Sequence, residues 1–296
     1  MFAELPDDAR TCLDWNWSQI EPYYRELAAR PLTAVSVAAW LADWSRLASL
    51  LSEIGVRLRL AYDANTADGE AERRLFRFLE EVSPSIDKAE HELEEKLLAS
   101  ALTPAGMEIP LRNLRADAAL FREENLPLIV EEQKISSQYD KIVGAQTIVW
   151  EGEELALPRV RPVLSEPDHE RREQAWRLSL ARQLADREAI NQIWRQLLRL
   201  RQRIAQQADH ADYRSYIWQA YHRFDHTPAD CTTFQPPIET VCAPLATGLY
   251  DRPRRRLGLA ALRPWDLSDG SWGRPAPTTH EQPLRPYQST NDLLAK

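Results

Sequence analysis

The chain has 296 residues and a mass of 34.1 kDa, a length that suits either two domains or one long helical one. With 44% hydrophobic and 28% charged residues it can bury a core, which excludes a disordered chain, and its nine glycines exclude a collagen-like one. A net charge of −8 with a pI near 5.4 argues against a nucleic-acid partner, because phosphate binding calls for a basic surplus. Cys12, Cys231 and Cys242 are too few and too scattered for a disulfide framework and suit a reducing compartment. The start, Met1-Phe2-Ala3-Glu4-Leu5-Pro6-Asp7-Asp8, lacks the basic-then-apolar order of a signal peptide. No stretch approaches the roughly 18 uninterrupted apolar residues of a membrane span. The expected setting is the cytoplasm, with no membrane partner.

Between Thr33 and Ala64, Val37, Trp40, Leu41, Trp44, Leu47, Leu51, Ile54 and Leu58 recur in steps of three and four, which predicts one long amphipathic helix. A second helix is predicted over Glu70–Glu81, with Leu75, Phe78, Leu79 and Val82 inward. Ser83-Pro84 should break it and open a third helix carrying Ile86, Leu93 and Leu97. On that helix Glu90, Glu92, Glu94 and Glu95, with Lys88 and Lys96, read as a solvated face. Leu111–Asn125 and Leu128–Val143 give two further helical segments around Pro127. Gln146-Thr147-Ile148-Val149-Trp150 and Leu155-Ala156-Leu157-Pro158 flank Glu151-Gly152-Glu153-Glu154 and predict a β-hairpin near 146–158. Pro158 and Pro162 keep it from growing.

Ser165-Glu166-Pro167-Asp168 reads as a capping box before some 40 helical residues ending at Ala208. Trp176, Leu180, Leu184, Ile190, Trp194, Leu197, Arg201 and Ile204 should share a face of that helix. After a short segment, Asp212–Phe224, the sequence Thr227-Pro228-Ala229-Asp230 is the clearest helix start in the chain. The helix it opens carries Phe234, Ile238, Val241, Leu245 and Leu249, with kinks expected at Pro236-Pro237 and Pro244. Residues 264–286 are rich in proline and read as an extended connection. Ser289–Lys296 reads as the first turn of a further helix, so the chain is expected to be cut from a longer protein.

Chemistry-bearing patterns are sparse. There is no glycine-rich phosphate loop and no Gly-x-Ser-x-Gly elbow. A zinc peptidase needs His-Glu-x-x-His, whose histidines share a helix face. Three His-Glu pairs occur, but His91-Glu92 leads to Glu95, His169-Glu170 to Glu173 and His280-Glu281 to Leu284. His222 and His226 have the right spacing, yet Arg223 takes the glutamate's place. Joined by Cys231 and Cys242 they make a conceivable four-ligand set, against the plainer reading of helix-end histidines and buried thiols. Arg252, Arg254, Arg255 and Arg256 could meet phosphate, although a basic run at a helix C-terminus more often complements the dipole. The 45 carboxylates offer no pair that sequence can single out.

The order of the pieces carries more. Thr147 to Pro158, Asp168-His169-Glu170-Arg171-Arg172-Glu173-Gln174-Ala175-Trp176, Ala211-Asp212-Tyr213-Arg214-Ser215-Tyr216, Arg223 to Cys231, and Leu262-Arg263-Pro264-Trp265-Asp266-Leu267 together resemble the oligoendopeptidase F family of zinc metallopeptidases, relatives of thimet oligopeptidase. The resemblance runs from about Tyr23 onward. It implies an all-α, elongated multi-helix array with one hairpin: an N-terminal lobe plus the start of a helical catalytic domain. The implied parts are an N-terminal array over 1–112, a helical segment with the hairpin over 113–185, and the truncated start of the catalytic domain over 186–296. Zinc and short peptide substrates are implied for the complete enzyme. The family's zinc motif lies beyond this chain, so no catalytic, cofactor or metal residue is carried onto any position here, and none of these is expected to be bound. Ala208-Asp209-His210, His226 and Pro236-Pro237 depart from the family pattern. The alternative is a non-catalytic helical module that binds peptides or a protein.

Overall fold

A computed structural model describes residues 2–267. The proline-rich connection and the terminal helical turn expected from the sequence lie largely or wholly beyond these residues, as do His280 and Glu281. The described chain is all-helical apart from one hairpin, as the periodicity predicts. Contacts divide it into two units. The first takes the described residues to Ala145 together with Asp186–Cys231; the second takes Gln146–Ala185 and the described residues from Thr232 onward.

In the first unit, α1 (Trp17–Ala29) begins with a reciprocal cap not anticipated from the sequence. Asn16 Oδ1 accepts from Ser18 N at 3.0 Å, and Gln19 Oε1 accepts from Asn16 N at 3.0 Å. α2 (Val37–Ala64) buries Trp40, Trp44, Leu47, Leu51, Ile54 and Leu58 of the predicted stripe. Trp40 Nε1 donates to Leu27 O at 2.9 Å, so the ring fills the core without an orphaned donor.

Ser83-Pro84 does not break the next helix. α3 (Gly69–Arg77) runs into α4 (Ser83–Ala99) through a π-helical turn, Phe78–Val82. A proline lacks the N–H that an α-helix needs and crowds the carbonyl four residues back. The wider turn moves that carbonyl aside, and Ser83 N instead donates to Phe78 O. The same solution recurs in the second unit. There α11 (Pro228–Pro237), whose first residues still belong to the first unit, passes through a π-turn, Ile238–Cys242, into α12 (Ala243–Arg256) just before Pro244, and Ala243 N donates to Ile238 O.

α5 (Glu108–Leu120) and α6 (Leu126–Gly144) match the expected segments, although the chain turns at 121–125 and Pro127 lies in the first turn of α6. The solvated reading of Lys96 needs correction. Its Nζ donates to Leu27 O, Ala28 O and Arg30 O at 3.0, 2.6 and 2.5 Å, capping the end of α1 from α4.

The hairpin of β1 (Thr147–Trp150) and β2 (Glu153–Ala156) pairs Trp150 with Glu153 and Thr147 with Ala156. Glu151 and Gly152 both have positive φ, 52° and 89°, the primed-turn geometry that matches strand twist. Leu157–Val160 forms a short turn, α7. Asp168, rather than Ser165, then caps α8 (His169–Ala185): its Oδ1 accepts from Glu170 N at 2.9 Å and Arg171 N at 3.2 Å. Ser165 instead ends a 3-10 turn.

The 40-residue helix expected here is two helices, because Asp186 leaves the α conformation between α8 and α9 (Arg187–Gln207). In α9 Ile193, Leu197, Leu200 and Ile204 are buried, while Trp194 of the expected face is exposed, as is Leu184 of α8. α10 (Tyr213–Ala220) follows, with Asp212 Oδ1 capping Ser215 N at 2.7 Å. The predicted cap of α11 is present: Asp230 N donates to Thr227 Oγ1 at 3.2 Å and Thr227 N to Asp230 Oδ2 at 2.7 Å.

The second unit has a small core of Ile148, Trp150, Val160, Val163 and Ala175. A buried ion pair reinforces it. Arg172, 1% exposed, donates through Nη2 to Asp266 Oδ1 at 2.9 Å, through Nε to Trp265 O at 3.0 Å, and through Nη1 to Glu166 O and Pro167 O at 2.9 Å. Replacing Arg172 with Met leaves the Asp266 carboxylate buried without its cation. The expected loss is about 3–5 kcal/mol, read from urea denaturation followed by tryptophan fluorescence.

Candidate functional site

The sequence-derived metal candidates do not converge. His222 Nε2 lies 2.8 Å from Asp117 Oδ1, while His226 meets the edge of Trp218 with ring centroids 5.0 Å apart. Cys231 and Cys242 are exposed rather than buried, and Cys242 belongs to the other unit. His169 points at Asp266, with Nδ1 to Oδ1 at 2.9 Å, and takes part in the Arg172 network. Arg254, Arg255 and Arg256 occupy the last turn of α12, where Arg254 pairs with Asp251 at 3.0 Å. Among the described residues no three His, Cys, Asp or Glu side chains are placed to hold a metal, so these residues do not fit a zinc site.

The structure gathers a different set. Asp87, Glu90, Glu94 and Leu97 on α4 are spaced three, four and three residues apart, an inward stripe occupied mostly by acids. With Asp117 of α5 they reach a cavity of about 360 Å³ in the first unit, also lined by Phe121 and Asn125. The solvated reading of Glu90 and Glu94 is therefore wrong. Glu90 is gripped by two donors from the core: the Tyr24 hydroxyl of α1 donates to Oε1, and Trp44 Nε1 of α2 donates to Oε2 at 2.6 Å. Asp87 and Glu94 have no comparable donors. His91 stacks on Phe121 with centroids 3.9 Å apart, and its Nδ1 stands 3.9 Å from Glu94 Oε2 without a hydrogen bond.

Burial without donors disfavours the charged carboxylate. Desolvation, reinforced by Asp117 and Glu90, pushes Glu94 up to about 8. Desolvation, with Glu90 adding repulsion, pushes Asp87 up to about 6. Desolvation also raises Glu90, despite its bonds from Tyr24 and Trp44. Of these acids Glu94 is the one pushed above neutrality, so its protonated form is favoured there.

The fold has known counterparts. No family model matches the sequence, and no curated protein matches it. Among solved structures, PZ peptidase A with an inhibitor superimposes with a TM-score of 0.80 at 19% identity, over 90% of this chain and 48% of that one. A protein described as oligoendopeptidase F from Bacillus anthracis strain Ames gives 0.79 at 16% identity, over 86% of this chain and 48% of its own. Oligoendopeptidase-F from Enterococcus faecium gives 0.62 at 15% identity, over 87% and 55%. The chain thus has the fold of about half of each of these peptidase structures, in agreement with the resemblance drawn from its ordered motifs.

The raised Glu94 makes a signed prediction. Between pH 4.5 and 8 the folded protein holds a proton that the unfolded chain releases, so this group's contribution to stability declines as pH rises through that window. Glu94→Gln removes the effect. Thermal denaturation should show the variant gaining on the parent by on the order of 1–3 kcal/mol at pH 8 and by much less at pH 5.

Proposed function

We propose that this chain is the N-terminal, non-catalytic half of an oligoendopeptidase F-like peptidase, forming channel wall that receives short peptides. The observation that carries the reading is the superposition of 90% of the chain on 48% of PZ peptidase A. In this reading the residues near 186–296 begin the catalytic domain, and the parts 1–112 and 113–185 precede it. Zinc belongs to the complete enzyme, and its ligands lie outside the residues described above.

The surface of the second unit supports the reading. Phe234, Ile238, Val241, Leu245 and Leu249 are exposed from α11 through the π-turn into α12, each by 44% or more. An apolar stripe of that extent marks a surface that other protein covers. The same stripe favours the second reading, a helical module that docks on a protein partner.

The two readings separate in solution. Under the first, the purified chain binds a fluorescein-labelled peptide of about ten residues, seen as a rise in anisotropy, and shows no chelator-sensitive hydrolysis of a quenched-fluorescent peptide. Zinc-dependent turnover by the chain alone would overturn it, and absence of peptide binding would favour the docking module. Val241→Gln with Leu245→Gln should reduce self-association in sedimentation velocity and leave the helical circular dichroism signal unchanged.

A further inference from the structure

We propose that the cavity between α4, α5 and α10 binds an alkylammonium group, the protonated amine of a small organic molecule or of a peptide. The inference stands on this cavity alone and does not require the peptidase reading.

Among the described residues the wall offers carboxylate acceptors, and the one Lys or Arg that lines it, Arg122, is paired elsewhere. Carboxylates of Asp87, Glu90, Glu94 and Asp117 reach it from two helices. The neighbouring basic groups are engaged elsewhere. Arg122 pairs with Asp209 at 2.7 Å and donates to the carbonyls of Ala119 and Phe121, His222 bonds Asp117, and Lys88 pairs with Glu123 at 2.9 Å. Among the described residues the other titratable groups lining the cavity are His91, stacked on Phe121, and Tyr216 of α10; Tyr24 reaches Glu90 from the core.

A second, independent feature points to a missing donor. Asn125 is 2% exposed and lines the same cavity; its Nδ2 donates to Ile204 O at 3.0 Å, and its Oδ1 has no donor. A buried amide oxygen left so costs about 1–3 kcal/mol, which an incoming N–H would recover. An ammonium supplies three N–H donors and one positive charge, matching an amide oxygen beside carboxylates that lack donors. Its carbon stem fits the apolar side of the wall at Leu120, Phe121 and Ile129, where the Phe121 ring also attracts a cation. A divalent metal demands tightly convergent ligands, which the described residues do not provide.

The cation favours ionised carboxylates, so Glu94 and Asp87 release protons on binding, and affinity climbs between pH 6 and 8.

Titration calorimetry of the full chain with n-butylammonium chloride at fixed ionic strength tests this. Saturable binding is expected, tighter at pH 8 than at pH 6 by at least about tenfold, with proton release seen as a dependence on buffer ionisation heat. The uncharged n-butanol should not bind. Glu94→Gln should weaken binding at pH 8 by at least about tenfold while raising thermal stability, which separates lost recognition from lost folding. Asp87→Asn provides a second variant with the same expected direction. Alanine amide and N-acetyl-lysine amide distinguish an α-ammonium from a side-chain ammonium as the natural ligand; tighter binding of either supports the site. Equal binding of n-butanol, an unchanged affinity in Glu94→Gln, or equal competition by potassium ions would overturn it.

Discussion

The carboxylate of Glu90, held between the Tyr24 hydroxyl and the Trp44 indole, is the constraint on which the first unit turns. Three helices meet there. α1 and α2 supply the donors from the apolar core, and α4 supplies the acceptor whose neighbours open onto the cavity. A polar group so placed satisfies the indole and the phenol that the core would otherwise bury without partners. It also fixes the rotation of α4, and with it the direction in which Asp87 and Glu94 face.

The second unit solves a different problem. Its apolar core is too small to fix the chain around it, so a buried guanidinium does so instead. Arg172 gathers the carbonyls of Glu166, Pro167 and Trp265 and the carboxylate of Asp266, tying the start of α8 to a segment more than 90 residues away. Every donor so used is matched, which is the condition under which a buried ion pair holds a structure together. Two separate stretches of the sequence, Asp168–Trp176 and Leu262–Leu267, are thereby halves of one contact.

Much of the fold was legible because local chemistry and global packing agree. The Gly-containing turn after Trp150 signals a hairpin, although Glu153 and Glu154 belong to its second strand and not to the turn; Thr227-Pro228-Ala229-Asp230 signals a helix start, and the stripe from Val37 to Leu58 a buried face. The failures share a cause. Apolar periodicity runs on through Asp186, where the helix breaks without proline or glycine to announce it. Pro84 reads as a stop, although a π-turn accommodates it. Glu90 and Glu94 of α4 read as solvated from their type, although their spacing places them in line with Leu97. Spacing was the better guide, and composition the worse one. The stripe from Phe234 to Leu249 shows the converse: its period is correct for a helix, but period alone cannot say which protein surface covers it.

The π-turn at Phe78–Val82 has a consequence for how this lineage tolerates change. Such a turn amounts to one residue inserted into a helix, which swings everything downstream around the axis by about 100°. The acids of α4 owe their aim to that extra residue. Its removal would keep the coil, the composition and every side chain downstream, yet swivel the whole row of carboxylates a quarter-circle away from where it now looks.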